Sequence, residues 1–491
     1  MDKEENQLIA QRKQKLKNIL DQGINPYPNK YKKTHSTLEI LTENKKLKQG
    51  EKSKKKVSIA GRIMTQRIMG KASFAHIQDE SGKIQIFATQ DDLKNYKLFK
   101  KLDIGDIIGC QGIIFKTKKG EISVWLKSFT LLTKSLRPLP EKWHGLKDSE
   151  TKYRQRYLDL ISNPEVRELF KKRTQFMNCF REYLDKNNFL EVETNTLKFK
   201  TGGAEAKPFK THHNSLDIDA YLRISLELPL KRLMVGGYEN IYEMAKVFRN
   251  EGMSTEHLQE FTMLEFYWAW HDYEDLMKFV EKMYKEAIKK TFKTLKIKYQ
   301  NITLDFAKKW PKHDYVEIVK KKTGIDLLKE NTKEKLIDAI KKKKLTKDVD
   351  LNGGLGRVTD QLYKRYVRPT LIQPCFLINH PVSISPLSKR MEKNPFLTER
   401  FQILAAGSEV GNGFSELNDP IDQKERLLEQ QKMRDSGDDE AQMMDKDFII
   451  ALEHGMPPTA GYGVGIDRLF MILSNSESIR DVVFFPLMRP E

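Results

Sequence analysis

Cysteine is scarce: Cys110, Cys179 and Cys375 are the only three in 491 residues. They lie far apart, and none has a Cys/His spacing that fits a zinc site. An odd number of scattered thiols excludes a disulfide framework and favours a reducing compartment. No apolar run reaches the ~20 residues of a membrane span. The first residues, MDKEENQ, lack the hydrophobic core of a signal peptide and are too acidic for a transit peptide. The expectation is a soluble, cytoplasmic protein with no membrane partner. Acidic charge is also in deficit. The net charge is +19, of which residues 1–56 carry +8 and residues 57–134 carry +6. A basic first part followed by a nearly neutral remainder points to a polyanion-binding module joined to a chemical one. Lysine runs elsewhere, such as Lys341–Lys344, show that part of this charge is a general surface habit.

Of what is present, the densest stretch is Asn240–Trp270, NIYEMAKVFRNEGMSTEHLQEFTMLEFYWAW. Two β-like runs joined by a polar loop predict an antiparallel hairpin with a long tip. Arg249, Glu251, His257, Glu260 and Glu265 stand among aromatic residues. Ionisable groups in such surroundings are costly to desolvate unless paired. They point to a polar pocket for a small charged molecule, the alternative being a stable hairpin whose charges lie in solvent.

Ahead of this, residues 4–20 read as a basic helix, which either follows a phosphate backbone or packs on its neighbour. Residues 1–56 form a basic helical extension. Five short strands follow in 57–134: Val57–Met64, Ser73–Asp79, Ile84–Ala88, Ile107–Phe115 and Ile122–Leu132, separated by glycine turns. With a helical piece near Leu93–Leu102 they fit an OB-fold barrel, a fold that stacks single-stranded bases on aromatics beside basic groups. Alternation puts Phe74 and His76 on one face and Ala75 and Ile77 on the other. Residues 135–150 are a linker. Residues 165–188 are a long amphipathic helix, followed by a strand over Phe189–Thr194. Residues 201–206, TGGAEA, are a glycine-rich loop, and Glu227 sits in an apolar setting, SLELPL. The lysine-rich segment 308–345 reads as an inserted helical appendage. Residues 400–418 form another hairpin-like block, with Glu409, Asn412, Phe414 and Glu416. GYGVGIDRLFMIL at 461–473 makes a glycine-rich strand-to-helix turn; Ile466 and the lack of a following lysine rule out the dinucleotide and P-loop fingerprints.

Three blocks in order resemble the signature motifs of class II aminoacyl-tRNA synthetases. They are the helix and strand at 167–197, FRNEG with HLQEFTMLE at 248–265, and GYGVGIDRL at 461–469. GRIMTQRIMGKASF, KYRQRYLDL, TGGAEAKPFKTHHN and VGNGFSELND look like the lysine-specific subgroup. The resemblance implies an α+β chain: an N-terminal OB-fold β-barrel for the anticodon at 57–134, then a catalytic domain at 151–491 with an antiparallel sheet and flanking helices. It implies ATP-dependent activation of L-lysine to lysyl-adenylate with release of pyrophosphate, then transfer to the 3′ end of tRNA(Lys), by a homodimer using Mg2+.

Residue by residue, the resemblance places Gly203, Ala204, Glu227, Glu265, Tyr267, Asn412, Phe414 and Glu416 around lysine. Glu227 and Glu416 face its two ammonium groups. Arg249, Glu251, His257, Phe261, Glu409 and Arg468 fall to ATP, with Arg249 and Arg468 in catalytic roles. Glu409 is the expected metal ligand, with Gln402 and Glu416 as further candidates. Arg67, Phe74, Gln85 and Glu121 would read the anticodon. Two positions depart from the pattern. Asn195 stands where the first motif has a proline, and Gln402 stands where a second metal-binding acid is usual. Gln402 alone favours an RNA-binding protein with an inactive catalytic domain. The barrel counts against an enzyme that lysylates proteins, and the acidic pocket against aspartate or asparagine as substrate.

Overall fold

The computed structural model describes residues 3–140, 148–437 and 440–490. Residues 141–147 of the expected 135–150 linker lie outside them, as do 438–439 and the extreme ends of the expected 1–56 and 151–491 segments. Contacts divide the chain into two units, Met1–Pro164 and Glu165–Glu491.

The first unit is built on a closed barrel of β1 (Lys52–Met69), β2 (Ala72–Gln78), β3 (Lys83–Thr89), β4 (Ile107–Lys116) and β5 (Ile122–Thr133), in the order β1-β2-β3-β5-β4. Alternating apolar residues fill it: Ala75 and Ile77 on β2, Ile84 and Ile86 on β3, Ile108 and Ile114 on β4, Val124 and Leu126 on β5. Strand β1 is long enough to pair with β4 along its first part and β2 along its second, with a register slip between Ile63 and Thr65 that bends it. Helix α3 (Tyr96–Phe99) lies between β3 and β4.

The basic N-terminal segment belongs to this unit rather than standing apart. Ile19 of α1 (Lys3–Leu20) and Ile40 of α2 (Thr37–Glu43) are part of the barrel's apolar core. Arg12 is held by the carbonyls of Ile104 at 3.0 Å and Arg137 at 2.9 Å. Of the two readings of α1, packing on its neighbour is therefore the one realised. The first strand also starts at Lys52, before the expected 57. Helices α4 (Ser149–Arg154) and α5 (Arg156–Ser162) close the unit.

The second unit starts with the long helix α6 (Pro164–Lys186) and is organised by an eight-stranded sheet. Its strands are β6 (Leu190–Glu191), β10 (Asn240–Phe248), β11 (Glu260–Ala269), β14 (Lys312–Asp314), β15 (Cys375–Ile378), β18 (Arg400–Ala405), β19 (Ser408–Ser415) and β20 (Thr459–Gly465). They run in the order β14-β15-β18-β19-β20-β11-β10-β6. Pairing is antiparallel except at the edges, where β14 joins β15 and β6 joins β10 in parallel. Smaller sheets decorate the rim: β7 (Leu197–Lys198), β8 (Lys210–His213) and β9 (Ile218–Leu222); β12 (Lys296–Tyr299) with β13 (Ile302–Asp305); β16 (Arg390–Met391) with β17 (Asn394–Thr398).

Two expectations are corrected. Segment 308–345 is helical as expected, in α9 (Tyr315–Thr323) and α10 (Lys333–Lys342), but it is built into the sheet rather than appended to it, because it also supplies the edge strand β14. Its Tyr315, Leu336 and Ile340 share a core with Leu362 of α11 (Leu355–Tyr366), Leu377 of β15 and Leu404 of β18. A lysine-rich surface hid a sparse but well-spaced apolar face. The strand expected over Phe189–Thr194 shrinks to Leu190–Glu191, because only those residues keep register with Ile241 and Tyr242.

The two faces of the sheet differ in kind. Leu264 and Phe266 of β11, Tyr462 and Val464 of β20, and Ile403 of β18 meet α6, α8 (Tyr273–Phe292) and α14 (Ile466–Leu473) through Phe176, Phe180, Val280, Tyr284 and Phe470. On the other face α7 (Glu227–Val235), α12 (Pro420–Asp435) and α13 (Lys446–Glu453) pack around Tyr267 and Phe414 through Leu230, Leu427 and Phe448. That face keeps a cavity.

At Gly112 in β4 any side chain would meet the backbone carbonyl of Trp125 on β5. Replacing it with alanine forces two paired strands apart. Gly112→Ala is expected to destabilise the barrel by about 1–3 kcal/mol, read as a lowered denaturant midpoint by circular dichroism.

Candidate active site

Strand alternation assigns the cavity wall. On β11, Met263, Glu265 and Tyr267 point away from the helices of the apolar face, and on β20 the matching positions are Gly461, Gly463 and Gly465. A side chain on Gly461 would collide with Glu416 Oε1, so a strand without side chains is what leaves room there. Strand β19 adds Asn412 and Phe414, β18 adds Arg400, and the first turn of α7 adds Glu227. The result is a cavity of about 350 Å³. Gly203, Ala204, Glu227, Arg249, Glu251, His257, Phe261, Glu265, Tyr267, Glu409, Asn412, Phe414, Glu416 and Arg468 all line it. Residues up to 265 positions apart in sequence are thus collected in one place.

One end is an acid floor. Glu265 accepts hydrogen bonds at Oε1 from Ser225 Oγ and the Leu226 amide, both at 3.0 Å, and at Oε2 from the Tyr267 hydroxyl at 3.3 Å. Burial, then the neighbouring Glu227, lifts its carboxyl to about 7. Glu227 and Glu416 are likewise pushed upward, chiefly by burial. Between them lies Lys231, one turn along α7 and fully buried. Its ammonium is 2.6 Å from Glu227 Oε1 and also pairs with Glu416 Oε2. Burial pulls this amine down, but the two carboxylates outweigh it and raise it, so it stays charged. Glu416 Oε1 is buried with no hydrogen-bond partner among the described residues. Glu416 already has one cation beside it, the Lys231 ammonium.

The opposite end is cationic and aromatic. Arg249 is half-buried, anchored by its Nε to the Ile224 carbonyl at 3.2 Å, with its guanidinium 5.2 Å from the centre of the Phe261 ring. Arg468 is fixed by the carbonyls of Glu256 at 3.3 Å and Glu409 at 3.2 Å. Its neighbour Asp467 accepts the Thr262 amide at 2.7 Å and an Arg173 ion pair, which ties the start of α14 to β11. Burial, then Arg468, holds the His257 imidazole down at about 4, so it is neutral at pH 7. Burial lifts Glu251 as well.

Gln402 does not line the cavity. It lies behind Glu409 and donates its amide to Glu409 Oε2 at 2.8 Å, so as placed it supports the acid rather than presenting an oxygen to a metal. Among the described residues no group of three or more His, Cys, Asp or Glu could hold a metal ion.

Four lining or supporting residues escaped the sequence reading. Lys231 carried a usable signal, an acid–lysine pair at i, i+4 in SLELPLK. Arg400 donates to Asn412 Oδ1 at 2.9 Å. Ser225 orients Glu265, and Gln442 accepts the Gly203 amide at 3.0 Å and so holds the glycine loop. The last three meet only in three dimensions. Gly203 itself has φ +84, and a side chain there would crowd Ser225 and Glu227.

A second, smaller surface lies on the barrel. Phe74 and Phe87 rings are 4.7 Å apart, and Arg67 pairs across from Phe74. Glu121 accepts from Gln85 at 2.7 Å and faces His76 at 2.8 Å, so it is tethered from both sides.

Residues 148–489 match the family of class II tRNA synthetases for D, K and N, and residues 57–132 match the OB-fold nucleic acid binding domain. The chain is 52% identical to a lysine–tRNA ligase of Carboxydothermus hydrogenoformans, over 99% of this chain and 98% of that protein. It is 50% identical to one from Pelotomaculum thermopropionicum, over 99% and 95%, and 48% identical to one from Thermosipho africanus, over 98% and 95%. Full-length similarity at this level, on a barrel followed by an antiparallel sheet with an acid-floored cavity, places the chain in the class II tRNA synthetase family.

Proposed function

We propose that the chain activates L-lysine with ATP, releasing pyrophosphate, and then transfers lysine to the 3′ end of tRNA(Lys). The observation that carries this is the polarity of the cavity: carboxylates at one end, Arg249 and Arg468 at the other. Lysine is a rod with positive charge on two amines and negative charge on its carboxyl group. Laid in this cavity, its ammonium groups meet Glu227, Glu265 and Glu416, with Tyr267 and Phe414 along the stem. Its carboxylate lies towards Asn412 and Arg249, under the loop at Gly203 and Ala204.

Phe261 offers a face for adenine and Glu251 an acceptor for its amino edge. His257 faces the outer phosphates and offers them a ring N–H. The lysine carboxylate attacks the α-phosphorus; a carboxyl oxygen–phosphorus bond forms, the bond to the bridging oxygen breaks, and pyrophosphate leaves. No protein nucleophile is needed. Arg249 holds attacking and attacked groups together and stabilises the charge that develops, and Arg468 steadies the departing phosphates. Glu409 suits a Mg2+ ion, which is ordinarily held by one or two carboxylates plus substrate phosphates. When bound, that ion would neutralise phosphate charge. The tRNA 3′-terminal ribose hydroxyl then attacks the lysyl carbonyl carbon: an ester bond forms, the bond from that carbon to the phosphate oxygen breaks, AMP leaves and the hydroxyl proton is released.

On the barrel, Phe74 would stack on an anticodon base, with Arg67, Gln85 and Glu121 reading edges or phosphates. Exposed Leu190 on the edge strand β6, followed in the chain by exposed Leu197 and Phe199, supports a homodimer. Three free, buried thiols support a cytoplasmic setting.

The direct test is ATP–pyrophosphate exchange across a panel of amino acids. Exchange with lysine and not with aspartate or asparagine is expected; silence with lysine overturns the reading. The pH dependence follows from Glu265. With its carboxyl at about 7, the ionised form that meets an ammonium is lost as pH falls through neutrality. The KM for lysine should rise by up to ~10-fold per pH unit below about 7 and flatten above 8. Finally, Gln402→Glu replaces the amide that donates to Glu409 Oε2 with a second carboxylate against Glu409, a repulsion that a bound cation would relieve. It should lower the Mg2+ concentration for half-maximal adenylate formation by about three- to tenfold, and an unchanged Mg2+ titration would refute that role.

A further inference from the structure

The buried Lys231 has no part in the reaction described above, yet it lies under the floor that receives the substrate. Its side chain is wholly shielded, and the rings of Phe414 and Phe448 stand 5.5 and 5.8 Å from its ammonium. A lysine in such a place is retained only against strong desolvation. Its two direct partners come from different elements: Glu227 opens α7, and Glu416 follows β19. One ammonium between two carboxylates leaves one negative charge over. Glu265 of β11, whose partners are the neutral Ser225, Leu226 amide and Tyr267, supplies another. Of the nearby arginines, Arg249 acts on Glu265 and Arg400 on Glu227 only from a distance, favouring their ionised forms; the Arg400 guanidinium itself is hydrogen-bonded to Asn412, Ser385 and the Ile384 carbonyl. With all three acids ionised, above the pH of about 7 at which Glu265 gives up its proton, three acids and one internal amine leave two negative charges. Glu416 Oε1, buried and unpartnered, faces the space left by Gly461.

We infer that Lys231 is a positioning residue that sets the charge of the floor, cancelling one of three carboxylates so that two remain for the two ammonium groups of the substrate, and holding Glu227 and Glu416 in place to receive them. This rests on lysine as substrate. Lys231 is buried under the floor, bound to its own acids, and acts through them.

The idea gives a sign that simple packing does not. Lys231→Met leaves three unmatched acids. Glu416→Gln leaves one uncompensated charge for two amines. Combining them returns the count to two. In pyrophosphate exchange by the full chain, Lys231→Met should raise the lysine KM by at least ~30-fold while the ATP KM stays within about threefold. Glu416→Gln should raise the lysine KM by roughly 100-fold, and adding Lys231→Met to it should lower that KM again by about fivefold or more. Where exchange is too slow, lysine Kd from calorimetry replaces KM. A folded Lys231→Met protein with lysine KM within about threefold of the unaltered chain overturns the inference. So does a double variant no better than Glu416→Gln alone. If Lys231→Met does not fold, the comparison of Glu416→Gln with the double variant decides, because removing both charges leaves a neutral buried pair. Failure of the unaltered chain to exchange with lysine overturns both this and the parent reading; failure confined to the variants overturns this inference only.

Discussion

Keeping carboxylates out of water is the constraint around which the catalytic unit is arranged. An isolated buried carboxylate is penalised by several kcal/mol or gives up its charge. Here three are gathered on one cavity wall, and each is supported differently. Glu265 is served by a hydroxyl, a backbone amide and a phenol. Glu227 shares a lysine with Glu416. Glu416 keeps one oxygen with no hydrogen-bond partner among the described residues. That incomplete satisfaction separates a binding floor from a structural salt bridge: a fully paired network would have nothing to offer a guest.

The sheet makes this arrangement possible because its two faces do opposite work. The side toward α6, α8 and α14 is a continuous apolar layer from Phe176 to Tyr462. It holds β11, β19 and β20 in register, so that Glu265, Asn412 and Glu416 converge without being close in sequence. Asp467 adds a fixed point between α14 and β11 and thereby settles where Arg468 projects. Separation of charge along the cavity is therefore a property of strand register, with neutral His257 and the Phe261 ring at the cationic end.

Much of this was legible in the sequence, for identifiable reasons. The barrel strands could be read because alternation such as Ala75–Ile77 against Phe74–His76 survives intact in a closed sheet. Residues that line the cavity could be named because they sit in compact blocks, FRNEG, HLQEFTMLE, GFSELN and GYGVGIDR. What eluded reading depended on long-range contact. Lys231 looks like one more surface lysine until α7 is seen to turn it inward. Segment 308–345 looks like a charged appendage because its apolar residues are few, although Tyr315 and Ile340 are wholly buried. The N-terminal helices look like a detachable basic arm because Ile19 and Ile40, which seat them in the barrel core, are single residues among many lysines.

The bare wall of β20 carries an evolutionary consequence. Gly461, Gly463 and Gly465 already present the least matter a residue can, so no substitution there can enlarge the chamber. Drift at those positions can only narrow it. A descendant that adopts a bulkier amino acid must find its extra volume on the two strands that flank β20, at Tyr267 of β11 or Phe414 of β19, each the direct neighbour of Gly461. Any change of diet in this lineage is therefore steered to the two aromatic rings beside the bare strand.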